Sequence, residues 1–578
     1  MTASQRNWGL QVDSCAEAWA NQTAWRVLDA SFGDGDCWRE VLSAWRGDPH
    51  RPRLLHYAAR VTPAHGAPAN ASPDFQRQEF EDGRVLLTLF GGDLNSALRE
   101  LRMDADTLLL PSLSGLDFND WTAKLLARFC HRGTNLMAQA LDASSVQALA
   151  AQGFEIRQQT ASDVWRGQYN PRWEPKARRQ WERLDLTNSR RCVVVGAGLA
   201  GASTAYALSR RGWAVQVLDA GSAPAMGASS LPLGLMAPHT SADNNPRSRL
   251  TRAGLQMTTL HTTRLLAHGQ DWSGAGVLTL KPGSAPSYCS EGAWVKPQAL
   301  VGAWLAQPGI AFTGNVKVAG LAWRGPPENG ESNGGSNGES NGGSGGGSGG
   351  ENNGGNGGEG SGEWSVLAAD GSTLASAPLV VLAAALGISD ILRRCQPMQI
   401  NAMAPNLPHL TGAPGQVSWG PQLPSDTAWT PGFCVNGNGY LATGVPIGGQ
   451  LAWLAGATFE DALAPLDIET AQRENFARLQ SLLPGAAAAL TARFEGGAVQ
   501  SWRGMRCTTP ERLPLVGPVT VGAPGLWLNT GFGSRGLTWS VLCAELLAAR
   551  LHGEPWPVAA SLAKKLDCRV QAKQVAPV

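Results

Sequence analysis

The run Cys192-Val193-Val194-Val195-Gly196-Ala197-Gly198-Leu199-Ala200-Gly201 holds the residue types needed to grip a dinucleotide, and Asp219 closes the strand-like Ala214-Val215-Gln216-Val217-Leu218 that follows. Gly196 permits a tight turn, Gly198 lets the backbone approach a pyrophosphate, and Gly201 lets a helix pack closely on a strand. The N-terminus of that helix then faces negative charge. Asp219 can accept hydrogen bonds from a ribose diol. Far downstream, Trp527-Leu528-Asn529-Thr530-Gly531-Phe532-Gly533-Ser534-Arg535-Gly536 runs from a strand into a second Gly-rich helix start. Such a start aims backbone N–H groups and a positive dipole end at an electron-rich ring.

Two α/β units are needed to carry these pieces. The chain has 578 residues, more than one hydrophobic core usually spans. Residues 25–160 alternate short aliphatic runs with helix-like stretches, so residues 1–164 are read as a first domain. Residues 165–190 turn polar and basic, with Trp173 and Trp181 set among Lys176, Arg178 and Arg179, and are read as a linker. Trp173 or Trp181 could stack on a base, but a solvated linker with anchoring aromatics is the favoured reading of the pattern. Residues 191–560 form a second domain assembled from separated pieces, and residues 561–578 read as a tail. Within the second domain, residues 328–363 are a Gly/Ser/Asn/Glu tract that cannot bury enough apolar area to offset its ordering entropy, so disorder is expected. Strand-like runs flank it and would otherwise pair as a hairpin.

Charge is nearly balanced, with 47 Lys+Arg against 46 Asp+Glu, so no global field marks a polyanion binder and any nucleic-acid contact must be local. The 10 cysteines include no C-x-x-C pair or Cys/His cluster, which argues against a disulfide scaffold and a metal site. No metal-ligand or Ser/His/Asp spacing surrounds His56 or His239, and neither is assigned a catalytic role. The longest apolar stretch, residues 377–388, is too short to span a bilayer, and no early apolar run reads as a signal peptide. A soluble, cytoplasmic protein without membrane or metal partners is expected.

The fingerprint alone does not separate NAD from FAD, but Gly227-Ala228-Ser229-Ser230 does, because small residues and hydroxyls suit the ribityl and pyrophosphate part of a flavin. These features resemble the D-amino-acid and glycine oxidase superfamily of FAD enzymes. Within it, Gly227-Ala228-Ser229, Trp294-Val295-Lys296-Pro297, Gly415-Gln416-Val417, Gly456-Ala457-Thr458-Phe459, Gly504-Met505-Arg506-Cys507-Thr508-Thr509, Leu513-Pro514-Leu515-Val516-Gly517 and Gly533-Ser534-Arg535-Gly536 occur in the order found in the bifunctional tRNA 5-methylaminomethyl-2-thiouridine biosynthesis (MnmC) family. The resemblance implies an α/β fold with an N-terminal Rossmann-like methyltransferase-type domain. It implies a C-terminal FAD-binding α/β domain with an antiparallel β substrate domain of the D-amino-acid oxidase type. The implied cofactor-binding residues are Gly196, Gly198, Gly201, Asp219, Ala228, Ser229, Gly531, Gly533, Ser534, Arg535 and Gly536.

The implied activity is FAD-dependent removal of the carboxymethyl group from 5-carboxymethylaminomethyluridine at the tRNA wobble position, followed by methylation of the exposed amine with S-adenosylmethionine. The carboxymethylamino group is a substituted glycine, so its C–N bond is oxidised, the imine hydrolyses and glyoxylate departs, the flavin supplying the redox step. Arg506 stands where the superfamily holds the substrate carboxylate, and a guanidinium fork matches a carboxylate bidentately. Other readings remain: a free-standing oxidase of small glycine-like amines, or a tRNA-binding protein with a structural flavin. Retention of Arg506 argues against the latter.

The first domain follows the family's order but departs from its chemistry. Leu28-Asp29-Ala30-Ser31-Phe32-Gly33-Asp34-Gly35-Asp36 stands at the adenosylmethionine loop with two glycines left to turn the chain. The acid expected at the end of the second strand is replaced near Ala59-Arg60, and Pro111-Ser112-Leu113-Ser114-Gly115 lacks the acid of the methyl-transfer site. Gly92-Asp93 and Trp121 are retained. A domain degenerate as a methyltransferase, kept for tRNA docking or stability, is the expectation.

Replacing residues 328–363 with a short Asn-Gly turn is expected to leave flavin content and turnover unchanged, because a solvated hairpin tip adds little beyond loop-closure entropy. Loss of tRNA binding on that deletion, measured by filter retention, would contradict an inert tip.

Overall fold

The computed structural model describes residues 18–61, 75–111, 118–159, 163–173, 189–325, 362–396, 409–519 and 524–568. The first domain is an 8-stranded sheet in the order β3-β4-β2-β1-β5-β6-β8-β7. Its strands are β1 Ala24–Asp29, β2 Leu54–Val61, β3 Gln76–Phe80, β4 Val85–Gly91, β5 Ala105–Leu110, β6 Cys130–Gln139, β7 Phe154–Gln158 and β8 Val164–Tyr169. From β4 through β2, β1 and β5 to β6 the strands are parallel, as Rossmann-type crossovers demand. Strand order reverses between β1 and β5, so a ligand crevice lies beyond their carboxyl ends.

Two expected boundaries shift. Residues 165–169 belong to β8, which pairs antiparallel with both β6 and β7, so the first sheet runs into the expected linker. Most of β8 is only half-buried, and no apolar run signalled it. Lys176, Arg178, Arg179 and Trp181 lie outside the described residues. The expected tail begins instead with the helix Ala560–Leu566, whose Leu562, Ala563 and Leu566 are buried. The adjacent Lys564 and Lys565 on its outer face masked that spacing.

The second domain centres on a 6-stranded sheet. Strand β9 (Arg191–Val195) lies parallel between β10 (Ala214–Leu218) and Leu379–Leu382, which in turn pairs with Leu526–Thr530. The strand that meets the second Gly-rich run thus comes from more than 300 residues downstream of β9 by subtraction (526 minus 195). Helices Leu199–Ser209 and Gly536–His552 pack on each other against this sheet. A 7-stranded sheet, antiparallel except where Val277–Thr279 meets Cys434–Gly437, forms the substrate domain. Strands Thr411–Pro421 and Gln500–Thr508 pair at one edge of it, with Ala413 opposite Arg506. The runs flanking the Gly/Ser tract pair antiparallel, Arg324 opposite Glu363. Glu363, expected at the end of that tract, is therefore the first residue of a strand; residues 328–361 lie outside the described residues.

The two domains share one core, in which Leu28 and Leu108 of the first sheet belong to the same buried cluster as Val194, Trp527 and Leu546. At its centre is a buried set of ionisable side chains. Arg211, just beyond the helix Leu199–Ser209, meets Glu545 Oε2 at 2.8 Å and Glu554 Oε2 at 2.6 Å. Across the boundary, β3 sends Arg77 to Glu545 at 3.4 Å, and Glu79 to Arg210 at 3.2 Å and Arg264 at 2.8 Å. From β2, His56 Nε2 lies 3.3 Å from Glu554 Oε1. Burial alone would raise the Glu545 carboxyl, but Arg211 and Arg210 outweigh it and hold it at about 2. Burial lowers His56 and His261, which are neutral here.

Removing one partner of such a set leaves an uncompensated buried charge, at a cost of about 3–5 kcal/mol. Arg211→Ala is expected to lower the denaturant midpoint of both domains together, and chemical unfolding followed by flavin and tryptophan fluorescence checks this. A loss below about 1 kcal/mol would mean that water reaches Glu545 and Glu554.

Candidate active site

Val195 ends β9 and Gly196 turns the chain at φ 108°, a left-handed conformation. Helix Leu199–Ser209 then packs so closely that a Cβ at Gly201 would lie 1.7 Å from the Gly196 carbonyl oxygen. Asp219, just beyond β10, accepts the Ala197 N–H at 2.6 Å and the Gly221 N–H at 2.7 Å, so the expected ribose acceptor also braces the turn it faces. Ala228 and Ser229 sit in the one-turn helix Ala228–Ser230. Ser229 Oγ accepts the Leu199 N–H at 3.0 Å, and Ser230 Oγ accepts the Trp502 Nε1–H at 2.9 Å.

The second Gly-rich run arrives at the same place. Gly531 and Gly533 both adopt left-handed φ, 77° and 55°. Ser534 is exposed, Arg535 stands at the N-cap, and Gly536 begins the helix Gly536–His552. A Cβ at Gly536 would lie 3.0 Å from Leu199 Cδ1, so the two helix starts converge. Asn529 ties them by donating to Thr204 Oγ1 at 2.8 Å. Two converging N-termini, a left-handed glycine turn and an acid beyond β10 fit a dinucleotide carrying a redox ring.

The strand Gln500–Thr508 links this cradle to the substrate domain. Its Trp502 reaches Ser230, and the Cys507 carbonyl accepts the Gly533 N–H at 2.8 Å. Between these contacts lies Arg506. Its Nη1 donates to the carbonyls of Pro414 at 3.2 Å and Thr458 at 3.1 Å. A Cβ at Gly415 would lie 2.0 Å from that Nη1, so only glycine leaves room for the guanidinium. Among the described residues Arg506 makes no ion pair, and its Nε and Nη2 have no hydrogen-bond partner. Burial lowers its pKa, and among the described residues Glu460 is the one carboxylate whose field opposes this. Glu460 is itself committed to Arg503 at 2.8 Å. Arg506 is thus a largely buried cation with the side of its fork unsatisfied, which structural ion pairs do not leave.

Sequence reasoning missed two features. Tyr440, opposite Gly456 in the same sheet, has a buried hydroxyl with no partner among the described residues, raised by burial and electrically coupled to Arg506. No local motif marks it; only antiparallel pairing brings it close. Arg535 is pushed down to about 10 by burial and by Arg247 and Arg512. His239, lowered by burial, faces Arg535, Arg247 and Lys281 as well. The second helix start therefore carries a local basic surround that the near-neutral composition concealed.

In the first domain, Asp29 ends β1, fully buried and accepting from the Tyr57 hydroxyl at 2.7 Å and the Ser31 N–H at 2.9 Å. Burial raises it to about 7. Arg60, near the end of β2, donates from Nε to the Gly92 carbonyl at 2.9 Å, and its buried Nη1 has no partner among the described residues. Asp93 caps the following helix through the Ser96 N–H at 3.0 Å. Trp121 is 48% exposed with Arg99 and Lys124 beside its ring. Ser112 to Gly115 lie outside the described residues. Among the described residues no group of His, Cys, Asp and Glu could hold a metal, and no helix is long and apolar enough to cross a membrane.

Residues 191–292 and 356–550 match the FAD dependent oxidoreductase family. The tRNA 5-methylaminomethyl-2-thiouridine biosynthesis bifunctional protein of Albidiferax ferrireducens is 39% identical over 96% of this chain and 94% of its own length. The protein of the same name from Polaromonas naphthalenivorans is 36% identical over 94% and 89%. Among solved structures, iminodiacetate oxidase from Chelativorans is 20% identical, with a TM-score of 0.43 over 64% of this chain and 97% of that one. The chain belongs to the FAD dependent oxidoreductases and, over nearly its whole length, to the family of these tRNA-modifying bifunctional proteins.

Gly198→Val is expected to push a branched side chain toward Ser229 Oγ, 3.1 Å from the Cβ position, and into the pyrophosphate path. The flavin absorbance of the purified variant should vanish while circular dichroism stays native. Full flavin retention would mean that the cradle lies elsewhere.

Proposed function

We propose, with that membership as premise, that this chain removes the carboxymethyl group from 5-carboxymethylaminomethyl-(2-thio)uridine at the tRNA wobble position by FAD-dependent oxidation. The observation that carries this reading is the unpaired, largely buried fork of Arg506 beside the converged helix starts. A carboxylate bound to Nε and Nη2 completes its hydrogen bonding. Gly196, Gly198, Gly201, Asp219, Ala228, Ser229, Gly531, Gly533, Ser534, Arg535 and Gly536 are proposed to hold FAD, which when bound supplies the two-electron acceptor for the C–N bond. Tyr440 is proposed as a second donor to the same carboxylate. The basic surround of Arg535, with Arg247, Arg512 and Lys281, favours a polyanionic substrate over a free amine. A tRNA substrate sets the reaction in the cytoplasm. We further propose that the methyltransferase-type domain runs from residue 1 to the end of β8 at Tyr169 and the oxidase domain from Arg191 to the end of the helix Ala560–Leu566.

For the second step, S-adenosylmethionine would occupy the crevice beyond β1 and β5. The two left-handed glycines of its loop, Gly33 and Gly35, support a turn around such a cofactor. Asp29 is already committed to Tyr57 and Ser31, and a cation stands where an acid would accept from the ribose. Methyl transfer is therefore proposed to be slow relative to oxidation. Mass spectrometry of wobble uridines from a strain lacking the gene reads both domains. Carboxymethylaminomethyl uridine should accumulate in the deletion, and the bare aminomethyl form should persist when the gene is restored.

Arg506→Ala removes a charge-assisted pair worth about 1.5–3 kcal/mol, so kcat/KM should fall roughly ten- to a few hundred-fold with flavin binding retained. Arg506→Lys should recover only part of the loss. Tyr440→Phe should raise the apparent Kd for modified tRNA with little change in the flavin spectrum. Anaerobic single-turnover flavin reduction by modified tRNA measures each. An unchanged rate in Arg506→Ala would move carboxylate recognition to Arg535.

A further inference from the structure

Beside Arg506, the segment between Thr458 and Leu466 buries Thr458 and Glu460 and turns its large apolar side chains outward. Glu460, 6% exposed, accepts the Thr458 hydroxyl at 2.6 Å, the Leu466 N–H at 3.1 Å and Arg503 Nη2 at 2.8 Å. The Glu460 N–H donates to the Pro414 carbonyl at 3.0 Å, and Asp461 Oδ1 accepts the Leu463 N–H at 2.9 Å. The backbone is thus braced to the strand that neighbours Arg506. Yet Phe459 is 56% exposed and Leu463 94% exposed. An aromatic ring held out in water on a segment braced on both sides of it, at Thr458 and Glu460, marks a contact surface rather than a packing residue.

Arg506 Cζ lies 5.2 Å from the centre of the Phe459 ring, and no other ring or cation contacts that ring among the described residues. The carboxyl carbon of the proposed substrate is separated from C5 of the uracil by four covalent bonds, roughly 5 Å when extended. A carboxylate in the Arg506 fork therefore keeps its base within reach of the ring that stands beside the same guanidinium. We propose that Phe459 is the stacking platform for the wobble nucleobase, so that one arginine-aromatic pair reads both ends of the modified side chain: Arg506 the carboxylate, Phe459 the base. This rests on the tRNA reading above. It also assigns a difference between this site and one for a free amino acid, whose small substrate has no base to place.

The test uses the FAD-loaded full chain and two anticodon stem-loops, one with 5-carboxymethylaminomethyluridine at the wobble position and one with plain uridine, with Kd read by fluorescence anisotropy. Stacking on an aromatic side chain contributes alike to both RNAs. Phe459→Ala and Phe459→Leu are expected to weaken binding of both by roughly 5- to 150-fold, Phe459→Trp to retain it, and Arg506→Ala to weaken only the modified RNA. The flavin spectrum of each variant reports folding. If Phe459→Ala weakens only the modified RNA, the ring acts through Arg506 and the stacking proposal falls. If it weakens neither, the proposal falls while the tRNA reading stands. If the unsubstituted protein binds neither RNA, or both equally, the tRNA reading fails first.

Discussion

Charges removed from water must be answered by charges, and in this molecule the answer comes from across a domain boundary. Arg211 serves both Glu545 and Glu554 of its own domain; Arg77 of the first sheet adds a further cation at Glu545 and the neutral His56 ring closes against Glu554, while Glu79 of that sheet satisfies Arg210 and Arg264. No member can be solvated by moving the sheets slightly apart without stranding several others. The boundary is therefore fixed in register as well as in contact, which apolar packing alone would not achieve.

That fixity reaches the site through one helix. Gly536–His552 carries Glu545 in its middle and begins at the second Gly-rich run. Its 17 residues span about 25 Å, so pinning the buried stretch positions the start against Leu199. The substrate strand is then placed from both sides, by Trp502 on Ser230 and by the Gly533 N–H on Cys507. Arg506 sits between two anchored points, and Gly415 clears the space that its guanidinium fills. Rigid support of this kind is what lets a buried cation such as Arg506 be left without a counter-ion for a ligand.

What the sequence disclosed was what is local. The turn from Gly196 to Gly201 and the helix start at Gly536 are encoded within a few neighbouring residues, and so are the strands on either side of the Gly/Ser tract. Arg506 was visible through its motif, but its lack of a partner was not, since that depends on Glu460 being spoken for by Arg503. Tyr440 needed the pairing of strands to come near, and the buried set joins positions 56, 77, 79, 211, 545 and 554, which no window contains. β8 escaped notice because a half-buried strand has no strong alternation, and the final helix because its lysines read as a solvated end.

The same buried set imposes an order in time. Arg77 is made 468 residues before its partner Glu545 (545 minus 77). At roughly 5–20 residues per second of synthesis, the first sheet waits on the order of half a minute or more for its partners. Throughout that interval β2 and β3 present Arg77 and His56, together with the apolar surface around them, to the solvent or to a chaperone, while Glu79 waits only for Arg210 and Arg264. The first domain thus matures only when the far end of the chain returns to it, and a ribosome that stalls anywhere before Glu545 releases a nascent sheet with its charged flank unmatched.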